Sequence, residues 1–181
     1  MWSCKIRHWS IIRLTRVWNG YMMMVSIDTY MEEHKLANEI NSRIESEMEV
    51  KAYIQNLQLA LNNGAKIEFQ AKRFVDEKRD EKYTNQYTIN KLFPDENPVE
   101  ALKRELLKLT VEEYMQTVKD LRFPKRSEMR EFGKVYNGSD DVYIKIRVEL
   151  LGMYGDTTTF VMSFHFAERA FTPEMFPYKK N

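Results

Sequence analysis

A histidine stands in an apolar stretch near the carboxyl end of the chain. In VMSFHFAERAF (161–171), His165 lies between phenylalanines, and it is one of three histidines among 181 residues. An imidazole titrates near neutral pH, so it can accept or donate a proton in a reaction. The groups that the fold brings to His165 then determine which reaction is possible.

The preceding stretch VYIKIRVEL (142–150) carries polar side chains at alternate positions. Alternate residues of a β-strand point to opposite faces, so Tyr143, Lys145 and Arg147 share one face. The other face is apolar and is predicted to belong to the core; it consists of Val142, Ile144, Ile146, Val148 and Leu150.

The stretch TTFVMSFHFAE (158–168) has the same alternation, which places Ser163 and His165 on the polar face. Its core face is predicted to consist of Phe160, Met162, Phe164 and Phe166. A hairpin that joins the two strands would pair Tyr143 with His165, and Lys145 with Ser163. We therefore expect an open sheet face on which these four side chains lie together.

A set of histidine, tyrosine, lysine and arginine suits the cleavage of RNA without a metal ion. The reaction removes a proton from the 2′-hydroxyl, protonates the leaving oxygen and increases the negative charge on the phosphate. Histidine can serve in either proton transfer, and cations stabilise the phosphate charge. Tyrosine can donate a hydrogen bond or stack on a base. The same residue types also occur on solvated surfaces and plain binding sites, so these alternatives stay open.

Composition excludes several classes of protein and site. One cysteine (Cys4) and three scattered histidines give no metal-ligand spacing, and there is no glycine-rich phosphate loop. No apolar run approaches the ~18 residues of a membrane-spanning helix. We expect a cytoplasmic protein without cofactor, metal or membrane partner.

Charge is unevenly distributed along the chain, although the net charge is only +1. Residues 28–49 hold seven acids against two bases, whereas residues 119–147 hold eight bases against five acids. A basic patch beside a candidate site favours an anionic ligand. The acidic segment is in turn a candidate shield for the basic one.

The remaining patterns predict an α+β fold, with N-terminal helices packed on one face of a small antiparallel β-sheet. The helices are predicted at 42–62, from Pro98, and from 111 to about 119. A strand is predicted from Lys66, and a meander of three or four strands from Met129 onward. The charged segment 75–97 is predicted to be an irregular loop insertion.

Residues 1–30 form a basic leader that does not resemble the start of a domain. Ile11, Ile12, Leu14 and Val17 would line one face of a short basic amphipathic helix, which suggests a membrane-surface or partner-binding element. The alternative is that translation begins at a later methionine. We therefore assign the single domain to residues 31–181.

About 130 residues of the chain resemble the MqsR family of toxin–antitoxin toxins, which are similar to the RelE-type messenger-RNA endonucleases. The matching stretches are LLKLTVEEY (106–114), EFGKVYNGSDDVYIKI (131–146), VMSFHFAE (161–168) and FPY (176–178). The resemblance implies a metal-independent endoribonuclease that cleaves messenger RNA and slows growth. It also implies a cognate antitoxin protein as partner, and no binding to DNA by the toxin alone.

The resemblance also implies which residues form the site. Tyr143 matches the strand tyrosine of the family, and His165 matches a branch with the same Ser-Phe-His run. In another branch the site lysine would fall near Met115 or Gln116, and the site glutamine at Gly133. Those departures shift the predicted catalytic set to His165, Tyr143 and Lys145.

The predicted RNA-binding residues are Arg147, Lys134, Arg130 and Ser163. The missing lysine and glutamine also support an alternative function. The chain would then be a non-catalytic RNA- or protein-binding module on the same fold, of phage or mobile-element origin.

Overall fold

The structure is a computed structural model that describes residues 13–18, 21–25, 42–73, 77, 79–121, 123–151 and 156–180. The chain divides into two units, Met1–Asn41 and Ser42–Asn181. In the first unit, strands β1 (Arg13–Trp18) and β2 (Tyr21–Val25) form an antiparallel pair. The amphipathic helix predicted for the leader is therefore wrong over Arg13–Trp18. The rest of the leader lies outside the described residues.

The second unit is built on a six-stranded sheet in the order β3-β5-β6-β7-β8-β4. Its strands are β3 (Ser42–Arg43), β4 (Lys66–Phe69), β5 (Tyr114–Val118), β6 (Met129–Tyr136), β7 (Asp140–Leu151) and β8 (Asp156–Phe166). All neighbouring pairs are antiparallel except β4 and β8, which run parallel. The α+β class is confirmed, but the sheet is mixed rather than wholly antiparallel.

Three α-helices accompany this sheet in the described part of the chain. They are α1 (Glu47–Asn62), α2 (Asn85–Leu92) and α3 (Pro98–Leu107). A capping box between Ser46 and Glu49 begins α1, and Asn97 caps α3 with proline at the first turn. Helix α1 begins five residues later than predicted from Ser42, because Ser42–Arg43 pair with β5 as a strand.

The core cluster contains residues of both the helices and the sheet. Alternate residues of β7 (Val142, Ile144 and Ile146) are fully buried, as their spacing predicts. The other buried core residues come from all three helices, from strands β4, β5, β6 and β8, and from the turn after α3: Val50, Ile54, Leu57, Leu61, Ile67, Ile89, Ala101, Leu102, Leu106, Leu109, Tyr114, Phe132, Val161 and Phe164.

The helix predicted from 111 to about 119 is wrong. A capping box between Thr110 and Glu113 is present, but it begins only the 3-10 turn Val111–Glu113. Strand β5 follows at once, and its first residue, Tyr114, is completely buried. Pairing with a strand on each side, β3 and β6, outweighs the local helix signal.

The charged segment 75–97 is not irregular throughout, because α2 forms within it. Ile89 of α2 is 1 % exposed and joins the core. Strand β4 covers β8 only as far as Val161, so the next part of β8 lacks a strand neighbour on that side. Asn85 of α2 bonds the Phe164 amide and the Met162 carbonyl, and Thr88 accepts from the Phe166 amide. The helix therefore completes the edge of β8.

None of the helices in the described part of the chain combines the length and apolar character needed to span a bilayer.

Candidate functional site

The hairpin between β7 and β8 brings the predicted site residues together. Tyr143 lies opposite His165, and Lys145 lies opposite Ser163, as the alternation predicts. The ring centroids of Tyr143 and His165 are 5.4 Å apart, with the planes inclined by 41°. Both pairs lie on the face of the sheet opposite Ile144 and Phe164, which are fully buried.

A β-bulge at Met162 changes the alternation in the first half of β8. Lys145 pairs with Ser163, but the next pair is Ile146 with Val161, so Met162 is an extra residue. Val161 is therefore fully buried in the core. The prediction that Met162 and Phe160 belong to the core face is wrong, whereas that of Phe164 is confirmed. Bulges often lie beside functional sites, where they redirect side chains.

The sheet face at His165 is covered rather than open. His165 is only 6 % exposed and Ser163 is 2 % exposed. They line a groove of about 490 Å³ whose other walls come from the chain after β4 and the chain after β8. The lining residues are Arg73, Arg79, Met115, Tyr143, Lys145, Ser163, His165, Ala167, Glu168, Arg169, Phe171 and Met175.

A glycine on β6 allows the carboxyl-terminal segment to form one wall of this groove. Gly133 lies opposite Tyr143, and a Cβ atom there would be 2.8 Å from the rings of both Phe171 and Phe176. Such contacts are too close, so a side chain would displace the segment. The resemblance aligned Gly133 with a site glutamine; here the residue serves packing.

The hydrogen bonds of His165 define its tautomer. Nδ1 lies 2.9 Å from the carbonyl oxygen of Phe166, which can only accept, so Nδ1 carries the proton. Nε2 then accepts from Nη1 of Arg79 at 3.4 Å. Burial lowers the pKa of His165, and the positive charges of Arg79 and Arg73 lower it further. The imidazole is therefore neutral at pH 7, with its basic nitrogen directed toward the arginines.

A buried carboxylate, Glu131, organises the other side of the site. It is 5 % exposed and lies on β6, opposite Lys145. Its carboxylate contacts the Lys145 ammonium at 2.9 Å and accepts from Gln116 at 2.8 Å. Burial, together with the charge and hydrogen bond of Glu131, raises the pKa of Tyr143, so its phenol stays protonated. Sequence reasoning missed Glu131; its place opposite Lys145 in the β6–β7 hairpin was the available signal.

Three of the predicted RNA-binding residues do not line the groove. Lys134 and Arg130 lie opposite Val142 and Ile146, and so point to the helix side of the sheet. There Arg130 pairs with Glu45 at 2.7 Å, while Lys134 is 3.7 Å from both Glu105 and Glu113.

Arg147 keeps to the predicted face, but it too lies outside the groove. Its Nε lies 2.7 Å from a carboxylate oxygen of Glu149, and its guanidinium carbon lies 4.9 Å from the ring centroid of Phe160. Ser163 does line the groove and accepts a hydrogen bond from Arg73 at 3.0 Å. The expectation of an acidic shield concerns residues 28–49, of which 28–41 lie outside the described residues. Glu45 pairs with Arg130, whereas Glu47 pairs with Lys51 and Glu49 caps the start of α1 with Ser46.

The groove is lined by more positive than negative charge. Arg73, Arg79, Lys145 and Arg169 face it, against one carboxylate, Glu168. Arg79 connects β8 with the segment that follows it, because its Nε pairs with Glu168 at 3.1 Å and its Nη1 lies 3.4 Å from Nε2 of His165. Sequence reasoning missed the three arginines. Arg79 lies in a charged stretch with no periodicity, and Arg73 and Arg169 follow the two strands whose alternation was interpreted.

No family model, curated protein or solved structure matches this chain. Among the described residues, no group of three or more histidine, cysteine and acidic side chains is placed to hold a metal ion.

The chemistry available at this site follows from its own groups. Nε2 of a neutral imidazole is a proton acceptor, guanidinium groups and an ammonium bind an anion, and a protonated phenol donates a hydrogen bond. The set can bind a phosphodiester and take a proton from a hydroxyl beside it.

Proposed function

We propose that this chain is the toxin of a type II toxin–antitoxin system, a metal-independent endoribonuclease that cleaves messenger RNA. One observation carries the proposal: a neutral imidazole directs its basic nitrogen toward arginines in a groove with excess positive charge. The resemblance of the sequence to the MqsR family supports the same function, and a RelE-like arrangement of helices and sheet is part of the proposal. The cognate antitoxin is the expected partner, and the cytoplasm the expected location.

The proposed reaction assigns a role to each group at the site. Arg79 moves from Nε2 of His165 to the bound phosphate. The freed Nε2 accepts the proton of a 2′-hydroxyl, and the 2′-oxygen attacks the adjacent phosphorus. The bond from phosphorus to the 5′-oxygen breaks, and the imidazolium returns the proton to that oxygen. Lys145 and the arginines stabilise the additional phosphate charge, while Tyr143 orients the imidazole and stacks on a base. The products are a 2′,3′-cyclic phosphate and a 5′-hydroxyl.

The experiment incubates purified protein with single-stranded RNA in EDTA and analyses the fragment ends. We expect cleavage by the wild type and a loss of about 10²–10⁴-fold in His165→Ala, the usual contribution of a general base. Arg147→Gln is the matched control, because it removes a charge from the same sheet face outside the groove. Wild-type cleavage that persists in His165→Ala with equal rate would reject the catalytic assignment.

A second candidate function is a non-catalytic RNA-binding module. It is favoured by two contacts that would hinder catalysis. Arg79 occupies the basic nitrogen of His165, and Glu131 neutralises Lys145. In that case RNA binds in a salt-dependent way and no new ends are formed. The EDTA experiment separates the two functions directly.

A further inference from the structure

The basic residues of the segment 119–147 fall into two groups. Those on β6 and β7 are ion-paired: Arg130 with Glu45, Lys134 with Glu105 and Glu113, Lys145 with Glu131, and Arg147 with Glu149. Their positive charge is largely compensated within the fold. The charge excess that the sequence shows must therefore lie elsewhere in the segment.

The excess lies in the β5–β6 loop, which we define as residues 119–121 and 123–128. Within the described part of the chain, no carboxylate lies within 4.0 Å of the side-chain nitrogens of Lys119, Lys125 or Arg126. Glu128 is paired with Arg43 across the sheet edge at 2.8 Å. Beside one further acid, Asp120, the loop thus carries three cations, Lys119, Lys125 and Arg126, that can contact an external partner.

The same loop exposes an aromatic ring beside these cations. Phe123 is 42 % exposed, and the guanidinium of Arg126 lies 4.0 Å from its ring centroid. Two successive backbone turns hold this stack, from the Phe123 amide to Asp120 and from the Arg126 amide to Phe123, each at 3.0 Å. Lys119 also donates to the Arg126 carbonyl. A fixed, exposed stack of guanidinium and ring among cations matches the way proteins hold single-stranded nucleic acid.

We infer that the β5–β6 loop is a second RNA-binding surface, separate from the groove at His165. Lys119, Lys125 and Arg126 contact phosphates, and a base stacks on the Phe123–Arg126 pair. The inference rests on the proposed RNA substrate, but not on its cleavage. The loop would bind the nucleotides that flank the part of the RNA in the groove. An RNA must therefore be long enough to reach both surfaces for full affinity.

The register of β6 gives the separation of the two surfaces. Gly133 lies opposite Tyr143 in the groove, and the loop joins β6 at Met129, four residues away. At about 3.4 Å per residue this is roughly 14 Å. Stacked nucleotides advance about 3.4 Å each, so roughly four separate the two contacts. Lys145, at the near end of the groove, lies opposite Glu131, only two residues from Met129. We therefore expect a trinucleotide seated at His165 to leave most of the loop uncovered, and a 12-mer to extend over both surfaces.

The experiment measures binding of two RNA probes by fluorescence anisotropy across a salt series. Both probes, a trimer and a 12-mer, carry 2′-O-methyl groups so that attack by the 2′-oxygen is blocked. The loop variants are Lys125→Gln with Arg126→Gln, and separately Phe123→Ala. The matched control, Lys91→Gln with Lys180→Gln, removes the same charge from exposed positions outside the loop.

We expect both loop variants to bind the 12-mer about five- to fifty-fold more weakly, with trimer affinity unchanged. The double variant should also lower the slope of log K against log salt by about 1.4, since each lost phosphate contact removes about 0.7. The control should change the 12-mer affinity by less than about twofold.

Unchanged 12-mer affinity in both loop variants would overturn the inference, and so would either of two further results. One is an equal loss of affinity in the control, or for both probes, because general charge would then explain the binding. The other is a loop effect seen with polyglutamate and not with RNA, which would make an acidic polypeptide the occupant. Absence of cleavage in EDTA would reject the endoribonuclease and leave these binding results standing, so the two failures are distinguishable.

Discussion

At the scale of single residues, the site is governed by which charges are compensated. His165 is neutral because it is buried beside two guanidinium groups, and Lys145 is held by a carboxylate beneath it. Glu131 also contacts Gln116 and Tyr143, so one acid positions three neighbours. Its substitution should therefore affect binding and cleavage differently.

Glu131→Gln preserves the shape of the side chain and removes its charge. We expect RNA to bind more tightly with a steeper salt dependence, because Lys145 then contributes an uncompensated charge to the groove. Cleavage should fall about tenfold, since the ammonium loses the partner that holds it in place, a change of about 1.4 kcal/mol in the barrier. Binding titrations and single-turnover rates measure the two effects separately.

Glu149→Gln is the matched control for that prediction. Glu149 pairs with Arg147 on the same face, outside the groove, so neither quantity should change by more than about twofold. A general weakening of binding and cleavage together in Glu131→Gln would contradict the positioning role and indicate a role in folding alone.

At the scale of elements, the β7–β8 hairpin could be predicted, but its surroundings could not. Strict alternation of apolar and polar residues fixes both faces of β7, and a short connection fixes the pairing of Tyr143 with His165. The turn between β6 and β7 is likewise predictable, because Asn-Gly is a typical hairpin turn, and Asn137 and Gly138 both have positive φ.

Two kinds of feature had no signal in the sequence. One extra residue at Met162 reverses the alternation of β8, and nothing in VMSF marks which residue bulges. Arg79 and Arg73, which line the groove beside His165, precede it in the chain by 86 and 92 positions. Only the folded sheet edge brings them there. The polar face was therefore predicted correctly, and its burial was not.

Helix α2 takes the place of a neighbouring strand beside the end of β8, because its side chains bond the β8 backbone. Asn85 is completely buried; it donates to the carbonyls of Gln70 and Met162 and accepts from the Phe164 amide. Asn85→Ala leaves these backbone groups without partners and should lower the free energy of unfolding by about 3 kcal/mol. Urea denaturation with an unchanged m-value measures the loss.

Asn90→Ala on the exposed side of the same helix is the control for Asn85→Ala. It should alter the free energy of unfolding by less than about 0.5 kcal/mol, as exposed substitutions usually do. Similar stability of the two variants would show that α2 does not complete the sheet edge.

At the scale of the whole molecule, the site is linked to global stability through one proton. Unfolding returns His165 to its ordinary pKa near 6.5, whereas burial and the arginines keep the folded value lower. Between the two values the unfolded chain binds the proton and the folded chain does not. Stability is therefore complete above about pH 6.5 and decreases as the pH falls toward the folded pKa.

The difference in unfolding free energy between wild type and His165→Gln isolates this contribution from all other titrating groups. We expect the difference to be constant from pH 8 to 7, and then to fall by at most about 1.4 kcal/mol per pH unit below 6.5. Urea denaturation at a series of pH values measures it. In an Arg79→Gln background the decrease should be smaller, because removing that charge raises the folded pKa toward 6.5. Parallel pH curves for wild type and His165→Gln would mean that the imidazole has the same pKa folded and unfolded, and the neutral base on which cleavage depends would lose its physical cause.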